Sequence, residues 1–244
     1  TVMAVDARSG AVLWQCKGLR GITPQGTELK RFTDAHLTIG KERVFFLDGD
    51  DVVALDIATG KETWRTLRPA MKEGVFGHSS FNFKHFCTLV YHDGMVFLGQ
   101  IHPDPRNLNQ WQQKEMAIRA LDASTGRRLW EHTGMSLAHF TPPDLLVNRG
   151  LVWTLKKDEV SFVGLDVRTG EVKKVYPVKE MLVGHHHRCY RNKATANFYL
   201  AGEEGIEYID FSTGALDVHH WMRGACAYGI LPANGLIYLP AHAC

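Results

Sequence analysis

Five copies of one short phrase constrain this chain more than anything else in it. AVDARSG (4–10), ALDIATG (54–60), ALDASTG (120–126), GLDVRTG (164–170) and YIDFSTG (208–214) share a form. A small or aromatic residue and an apolar one precede Asp, two variable residues, Ser or Thr, and Gly. The glycines fall at 10, 60, 126, 170 and 214, so the intervals are 50, 66, 44 and 44 residues. Repetition on this scale dictates an architecture of stacked, similar units.

Each part of the phrase has a physical task. The apolar residue ends a strand. Asp6, Asp56, Asp122, Asp166 and Asp210 can accept from backbone N–H groups just ahead of them, as in an Asx-turn, and the Ser or Thr hydroxyl does so more weakly. Gly supplies the positive φ that closes a tight hairpin. Four residues beyond the Gly stand Trp14, Trp64 and Trp130 in the first three copies, but Lys174 and Val218 in the last two.

Ahead of each Gly, or past the last one, lies another apolar stretch that follows turn residues. These are ERVFFLDG (42–49), DGMVFLGQ (93–100), RGLVWTLK (149–156), TANFYLAG (195–202) and NGLIYLPA (234–241), and they read as strands. A unit of about 44 residues with four short strands has the size of a β-propeller blade. The expected fold class is therefore all-β, a propeller of four-stranded antiparallel blades. A β-sandwich would need five ordered turn similarities to arise by coincidence.

The phrase A-x-D-x-x-T-G-x-x-x-W, clearest at 54–64 and 120–130, resembles the tryptophan-docking repeat of the quinoprotein-alcohol-dehydrogenase-like, or PQQ-like, propellers. GHHHRCYRNKAT (184–195) and RGACAYGILPANGLIYLPAHAC (223–244) resemble the C-terminal propeller region of large bacterial PQQ-like proteins. The resemblance implies a propeller in a periplasmic or secreted protein. The family holds both quinoprotein dehydrogenases and non-enzymatic scaffolds, so fold does not assign function. Members that bind PQQ present an adjacent Cys-Cys pair and a Glu/Asn/Asp calcium set. The cysteines here are 16, 87, 189, 226 and 244, none adjacent, which argues against PQQ as cofactor.

The chain reads as one propeller domain or propeller fragment, 1–244. Complete repeats are expected near 16–65, 66–131, 132–175 and 176–221. The remainders, 1–15 and 222–244, are the outer and inner halves of one blade. Two arrangements stay open: closure into about five blades, or part of a seven- or eight-bladed ring. The chain opens on TVMAVD, inside a strand pattern, and has no initiator Met, signal peptide or lipidation signal, so it reads as a piece of a longer protein. The longest repeat carries an excursion near 101–116 between its second and third strands.

Composition narrows the function classes. A formal charge of +2, from 28 basic and 26 acidic residues, provides no basic excess for a nucleic-acid partner. No apolar run approaches the ~18 residues that span a bilayer. No C-x-x-C, H-E-x-x-H, P-loop or G-x-S-x-G motif occurs. His is unusually frequent at 13.

The innermost strands, which line a propeller channel, are expected near 34–39, 84–90, 143–147, 185–191 and 225–231. His36, His85, His139 and His185 to His187 gather near their starts, with Cys226 in the same place in the last repeat. Imidazole and thiolate suit Zn, Cu, Mn or Fe. His85, His185, His186, His187, Cys189 and Cys226 are the candidate metal ligands. If 185–190 is extended, His185, His187 and Cys189 share one face, with His186, Arg188 and Tyr190 on the other. A Cys189–Cys226 disulfide competes with a metal for the same thiols, and His bound only to water or carbonyls is a third possibility. Arg188, Arg223, His139 and Tyr190 are the candidate contacts to a small anionic ligand. Arg191 and Lys193 read as solvated surface residues.

Three functions fit. One is a binding module with a His/Cys/Arg site at one channel mouth. The second is a metal-dependent lyase or oxidoreductase with His186 or His187 as ligand or general base. The third is a scaffold whose partner is another protein.

Overall fold

The computed structural model describes residues 1–20, 36–68, 87–101, 114–137, 144–156, 159–181, 190–225 and 228–241. Among the described residues it has twenty strands and no helix. A hairpin of β1 (Val2–Val5) and β2 (Val12–Cys16) comes first. Four antiparallel four-stranded blades follow in chain order. The first holds β3 (Leu37–Ile39), β4 (Arg43–Asp48), β5 (Asp51–Asp56) and β6 (Glu62–Leu67). The second holds β7 (Cys87–His92), β8 (Met95–Ile101), β9 (Lys114–Asp122) and β10 (Arg128–Leu137). The third holds β11 (Leu146–Asn148), β12 (Leu151–Lys156), β13 (Ser161–Asp166) and β14 (Val172–Pro177). The fourth holds β15 (Lys193–Ala194), β16 (Phe198–Ala201), β17 (Ile206–Asp210) and β18 (Leu216–His219). A last hairpin pairs β19 (Leu231–Ala233) with β20 (Leu236–Tyr238).

The burial pattern explains why the middle strands read as unbroken apolar runs. β4 and β5 are buried on both faces, as are β12 and β13, because each blade is sandwiched between two neighbours. The outer strand β6 alternates half-buried and exposed, and β14 is exposed almost throughout. The core therefore lies between successive blades. Phe45 and Leu47 meet Leu89 and Leu98 across the first gap. Phe97 and Ile118 meet Val152 and Leu165 across the second. Trp153 and Phe162 meet Tyr199 and Phe211 across the third. Each such side chain contributes about 2 kcal/mol through lost water contact.

The repeated phrase forms one turn five times. In each copy the Asp carboxylate accepts from the backbone N–H groups two and three residues on, as Asp56 does from Ala58 and Thr59 at 3.2 and 2.8 Å. The Gly N–H returns to the Asp carbonyl. These bonds hold all five carboxyls below the ordinary range.

The turn also receives the preceding blade. Indole Nε1 of Trp14, Trp64 and Trp130 donates to the carbonyls of Ile57, Ala123 and Val167 at 2.8, 3.0 and 2.9 Å. Each indole then covers the turn glycine of the next blade, so a Cβ on Gly60, Gly126 or Gly170 would lie within 2.6 Å of that ring or its neighbour. The next junction keeps the arrangement without a Trp. Tyr176 donates its hydroxyl to Ser212 O at 2.6 Å and covers Gly214.

Among the described residues β1–β2 and β19–β20 form two separate two-stranded sheets. The described inner strands begin at 37, 87, 146, 193 and 231, and His85, His139, His185 to His187 and Cys226 lie outside the described residues.

Candidate functional site

Chain direction sorts the two ends of every blade. One end holds the Asp-x-x-Thr-Gly turns and the turns from first to second strand, tied together by Ile57 N–H to Glu42 O and Ala123 N–H to Gly94 O, both at 2.9 Å. At the opposite end the chain passes between second and third strands and from blade to blade. The strand ends flanking 21–35, 69–86, 102–113, 138–143 and 182–189 all lie there. That end is the mouth to which the sequence assigns a site.

A buried polar network holds the strand starts at this mouth. Arg191, just ahead of β15, donates Nη1 to Asp144 Oδ1 at 2.7 Å and also to Thr88 Oγ1. Its Nη2 donates to the carbonyl of Cys87. Asp144 Oδ2 accepts from Asn192 N–H at 2.7 Å, and the Asp144 carbonyl accepts from Thr154 Oγ1 at 2.9 Å. Asn192 Oδ1 accepts from Gly202 N–H at 3.1 Å. One guanidinium and one carboxylate therefore join the second, third and fourth blades.

The electrostatics follow from depth. Burial pushes the Asp144 carboxyl up, against the pull of Arg191 and its hydrogen bonds. Burial also raises the Tyr199 phenol well above its usual range, and the Asp144 charge adds to this. Cys87 lies beside Arg68, with Sγ 3.8 Å from Nη1. Burial pushes its thiol up although Arg68 and Arg191 both favour the thiolate. A buried thiol of raised pKa is inert as a nucleophile. The chemistry of this network is anchoring.

The sequence candidates divide sharply. His85, His139, His185, His186, His187, Arg188, Cys189 and Cys226 lie outside the described residues, as do His242 and Cys244. Tyr190 is buried; its hydroxyl donates to Gly205 O at 3.2 Å, and a Cβ on Gly202 would come 2.6 Å from its ring. Arg223 is half-buried ahead of β19. Tyr190 also packs on Gly229, at 3.0 Å from its Cβ position, and Gly229 pairs with Ala225. Tyr190 and Ala225, which adjoin Cys189 and Cys226 in sequence, thus both meet Gly229.

Arg191 reverses its sequence reading: it is half-buried and paired with buried Asp144. Asp144, Thr88 and Asn192 have no counterpart among the sequence candidates. The one available signal was an Asp directly after Pro142 and Pro143, two residues ahead of β11. A second buried carboxylate, Glu207, accepts from the N–H groups of Glu203, Glu204 and Gly205 at 2.9, 3.0 and 3.1 Å, with His220 Nε2 3.3 Å away. It fixes the bend after β16.

Among the described residues no three His, Cys, Asp or Glu side chains gather closely enough to hold a metal ion. The chain has no adjacent cysteines. No helix among the described residues is long and apolar enough to cross a membrane.

Residues 1–196 match the family model described as outer membrane protein assembly factor BamB. No curated protein matches the chain. Among solved structures, the quinohemoprotein alcohol dehydrogenase from Comamonas testosteroni aligns at 17% identity and a TM-score of 0.53, over 88% of this chain and 39% of its own. A europium-containing methanol dehydrogenase aligns at 12% identity and 0.54, over 88% and 46%. BamB from Moraxella catarrhalis aligns at 14% identity and 0.46, over 74% and 47%. The chain spans less than half the length of each of the last two and of the first. At these identities the dehydrogenases share the fold with this chain.

Proposed function

Because the chain belongs to the family of the outer membrane protein assembly factor BamB, built from PQQ-like repeats, we propose that it is a propeller binding module acting outside the cytoplasm. Its site is the mouth opposite the Asp-x-x-Thr-Gly turns, and its ligand is a transition metal taken by His and Cys from several blades. The observation that carries this reading is the Arg191–Asp144–Thr88 network. It fixes the starts of three inner strands, the stems from which 69–86, 138–143 and 182–189 depart. A rigid scaffold beneath variable connections is how binding sites are commonly built. The packing of Tyr190 on Gly229 supports convergence of Cys189 and Cys226.

Metal analysis of the purified chain tests the reading. Stoichiometric Zn, Cu, Mn or Fe, lost in a His187→Ala/Cys226→Ala double variant, is the expected result. No bound metal after exposure to each, together with a Cys189–Cys226 disulfide by mass spectrometry, overturns it.

A protein partner is the second reading, favoured by Trp221 and Tyr228. Both are about four-fifths exposed, at 77% and 81%, and they flank the segment that carries Cys226. Exposed aromatics of this kind are typical anchors of protein interfaces. The family's printed name, an assembly factor, agrees with that role.

A further inference from the structure

The first and last hairpins carry the two halves of one pairing rule. In each of the four blades the second and third strands pair, and the residue that opens the second strand faces the Asp of the repeated phrase. The pairs are Arg43 with Asp56, Met95 with Asp122, Leu151 with Asp166 and Phe198 with Asp210. β20 is a second strand of this kind. It opens at Leu236, after Asn234 and Gly235, whose positive φ values repeat those of Asp93–Gly94 and Arg149–Gly150. β1 is a third strand, running into Asp6. Among the described residues β20 pairs only with β19 and β1 only with β2, so each keeps an open edge where its counterparts in the blades have a neighbour.

The rule sets Leu236 against Asp6. Ile237 then faces Val5, Tyr238 faces Ala4 and Leu239 faces Met3. Burial checks this register independently, because opposed residues share a face of the sheet. Ile237 and Leu239 pack on the fourth blade around Leu200 and Ile206, whereas Val5 and Met3 are exposed. Half-buried Ala4 shares its face with Val2, which packs on the first blade at Phe46 and Val53, whereas Tyr238 is exposed. Each hairpin therefore covers the face that the other leaves bare. A slip of one residue would set covered against covered. The first blade agrees. On β3, Thr38 turns to the second blade and accepts from Tyr91 N–H, while Leu37 and Ile39 on the other face are exposed.

We propose that the last hairpin of one copy and the first hairpin of a second copy join edge to edge into a four-stranded blade. Within one copy the two hairpins form separate sheets, which leaves both edges to a second copy. An open apolar edge is a template for such pairing. Leu236 and Tyr238 then lie over Leu37 and Ile39 of the second copy, and Val5 and Met3 of that copy lie over the fourth blade of the first. The contact is heterologous, so copies add head to tail.

Sedimentation velocity over a dilution series tests the association, and cysteine cross-linking tests its register. Oxidation of a mixture of Ala4→Cys and Tyr238→Cys chains should join positions 4 and 238 of different chains, mapped by mass spectrometry. Met3→Cys in place of Ala4→Cys points to the other face and should give roughly tenfold less of this product. Val5 and Leu236 are 46% and 60% exposed in the single copy, so Val5→Lys and Leu236→Lys keep the fold. Each should weaken association by roughly tenfold or more, because a charge enters the joined blade. The proposal is overturned by a chain that stays monomeric at every concentration, or by association unchanged in both Lys variants. Equal cross-linking of Met3→Cys, or a disulfide closed within one chain in an Ala4→Cys/Tyr238→Cys double variant, overturns it as well.

Discussion

Removing the guanidinium of Arg191 should cost this protein more than any other single change at the mouth. Arg191→Met keeps length and apolar bulk but leaves the Asp144 carboxylate buried, with only Thr88 Oγ1 and Asn192 N–H as donors. Breaking a buried ion pair from one side costs about 3–5 kcal/mol. For a chain of this size that corresponds to a melting point lower by roughly 6–20 °C. Asp144→Asn alone should cost less, because the amide still accepts from Asn192 and carries no charge. The double variant should recover part of the loss, with a coupling of about 2 kcal/mol. Urea unfolding of the four proteins measures all three quantities.

The pH dependence identifies the cause. Asp144 already titrates above its ordinary value because of burial. Without Arg191 it moves higher. A carboxyl whose folded pKa is raised contributes most below its unfolded pKa, about 4, and that contribution is lost as pH rises through the folded value. The deficit of Arg191→Met should therefore be smallest near pH 4 and grow toward pH 7, while Arg191→Met/Asp144→Asn shows no such trend. A loss under about 1 kcal/mol, as for an exposed pair, or a deficit independent of pH would refute the reasoning.

Three further outcomes are expected. Gly126→Ala should lose about 2–4 kcal/mol, because φ is +75° and the added Cβ would meet Thr66 Oγ1 at 2.5 Å and the Trp64 ring at 2.6 Å. Gly10→Ala, at φ +72° but with nothing within 4 Å, should lose only about 1–2 kcal/mol, and equal losses in urea would deny the docking role. The five turn aspartates are held low by their hydrogen bonds, so their contribution is full above pH ~4 and lost as pH falls through their folded values; Asp122→Asn should be less sensitive to acid in a pH series of melts. Cys16 should react with a maleimide in the native chain while buried Cys87 reacts only after denaturation, and equal rates would contradict the inert thiol.

The blades were legible because their signals are local. An Asp and a Gly four residues apart define a turn, and a run such as Val52–Val53–Ala54–Leu55 defines a strand buried on both faces. The mouth was not, because its partners are distant. Arg191 and Asp144 are 47 residues apart and neither belongs to a strand, so alternation does not say which arginine points inward. The inner strands β11, β15 and β19 hold three, two and three residues, too few to carry a pattern against neighbouring histidines.

Tyr176 shows how a repeat keeps its function when its letters change. The fourth position after Gly170 is Lys174, which breaks the Trp pattern. Two residues farther along a strand is the same face, so Tyr176 reaches the next turn from there and donates to Ser212 O. Lys174 is left to lie over its ring, Nζ 5.5 Å from the centroid. The requirement on this end of the propeller is therefore a flat ring with one donor, placed to cover a glycine. That requirement is the same at every junction and holds the turn sequence uniform. Among the described residues no such contact recurs at the opposite end, where the intervals of 50 and 66 residues place their additional length. Variation is free only where it does not disturb blade docking, and the free end is where the His- and Cys-bearing segments depart.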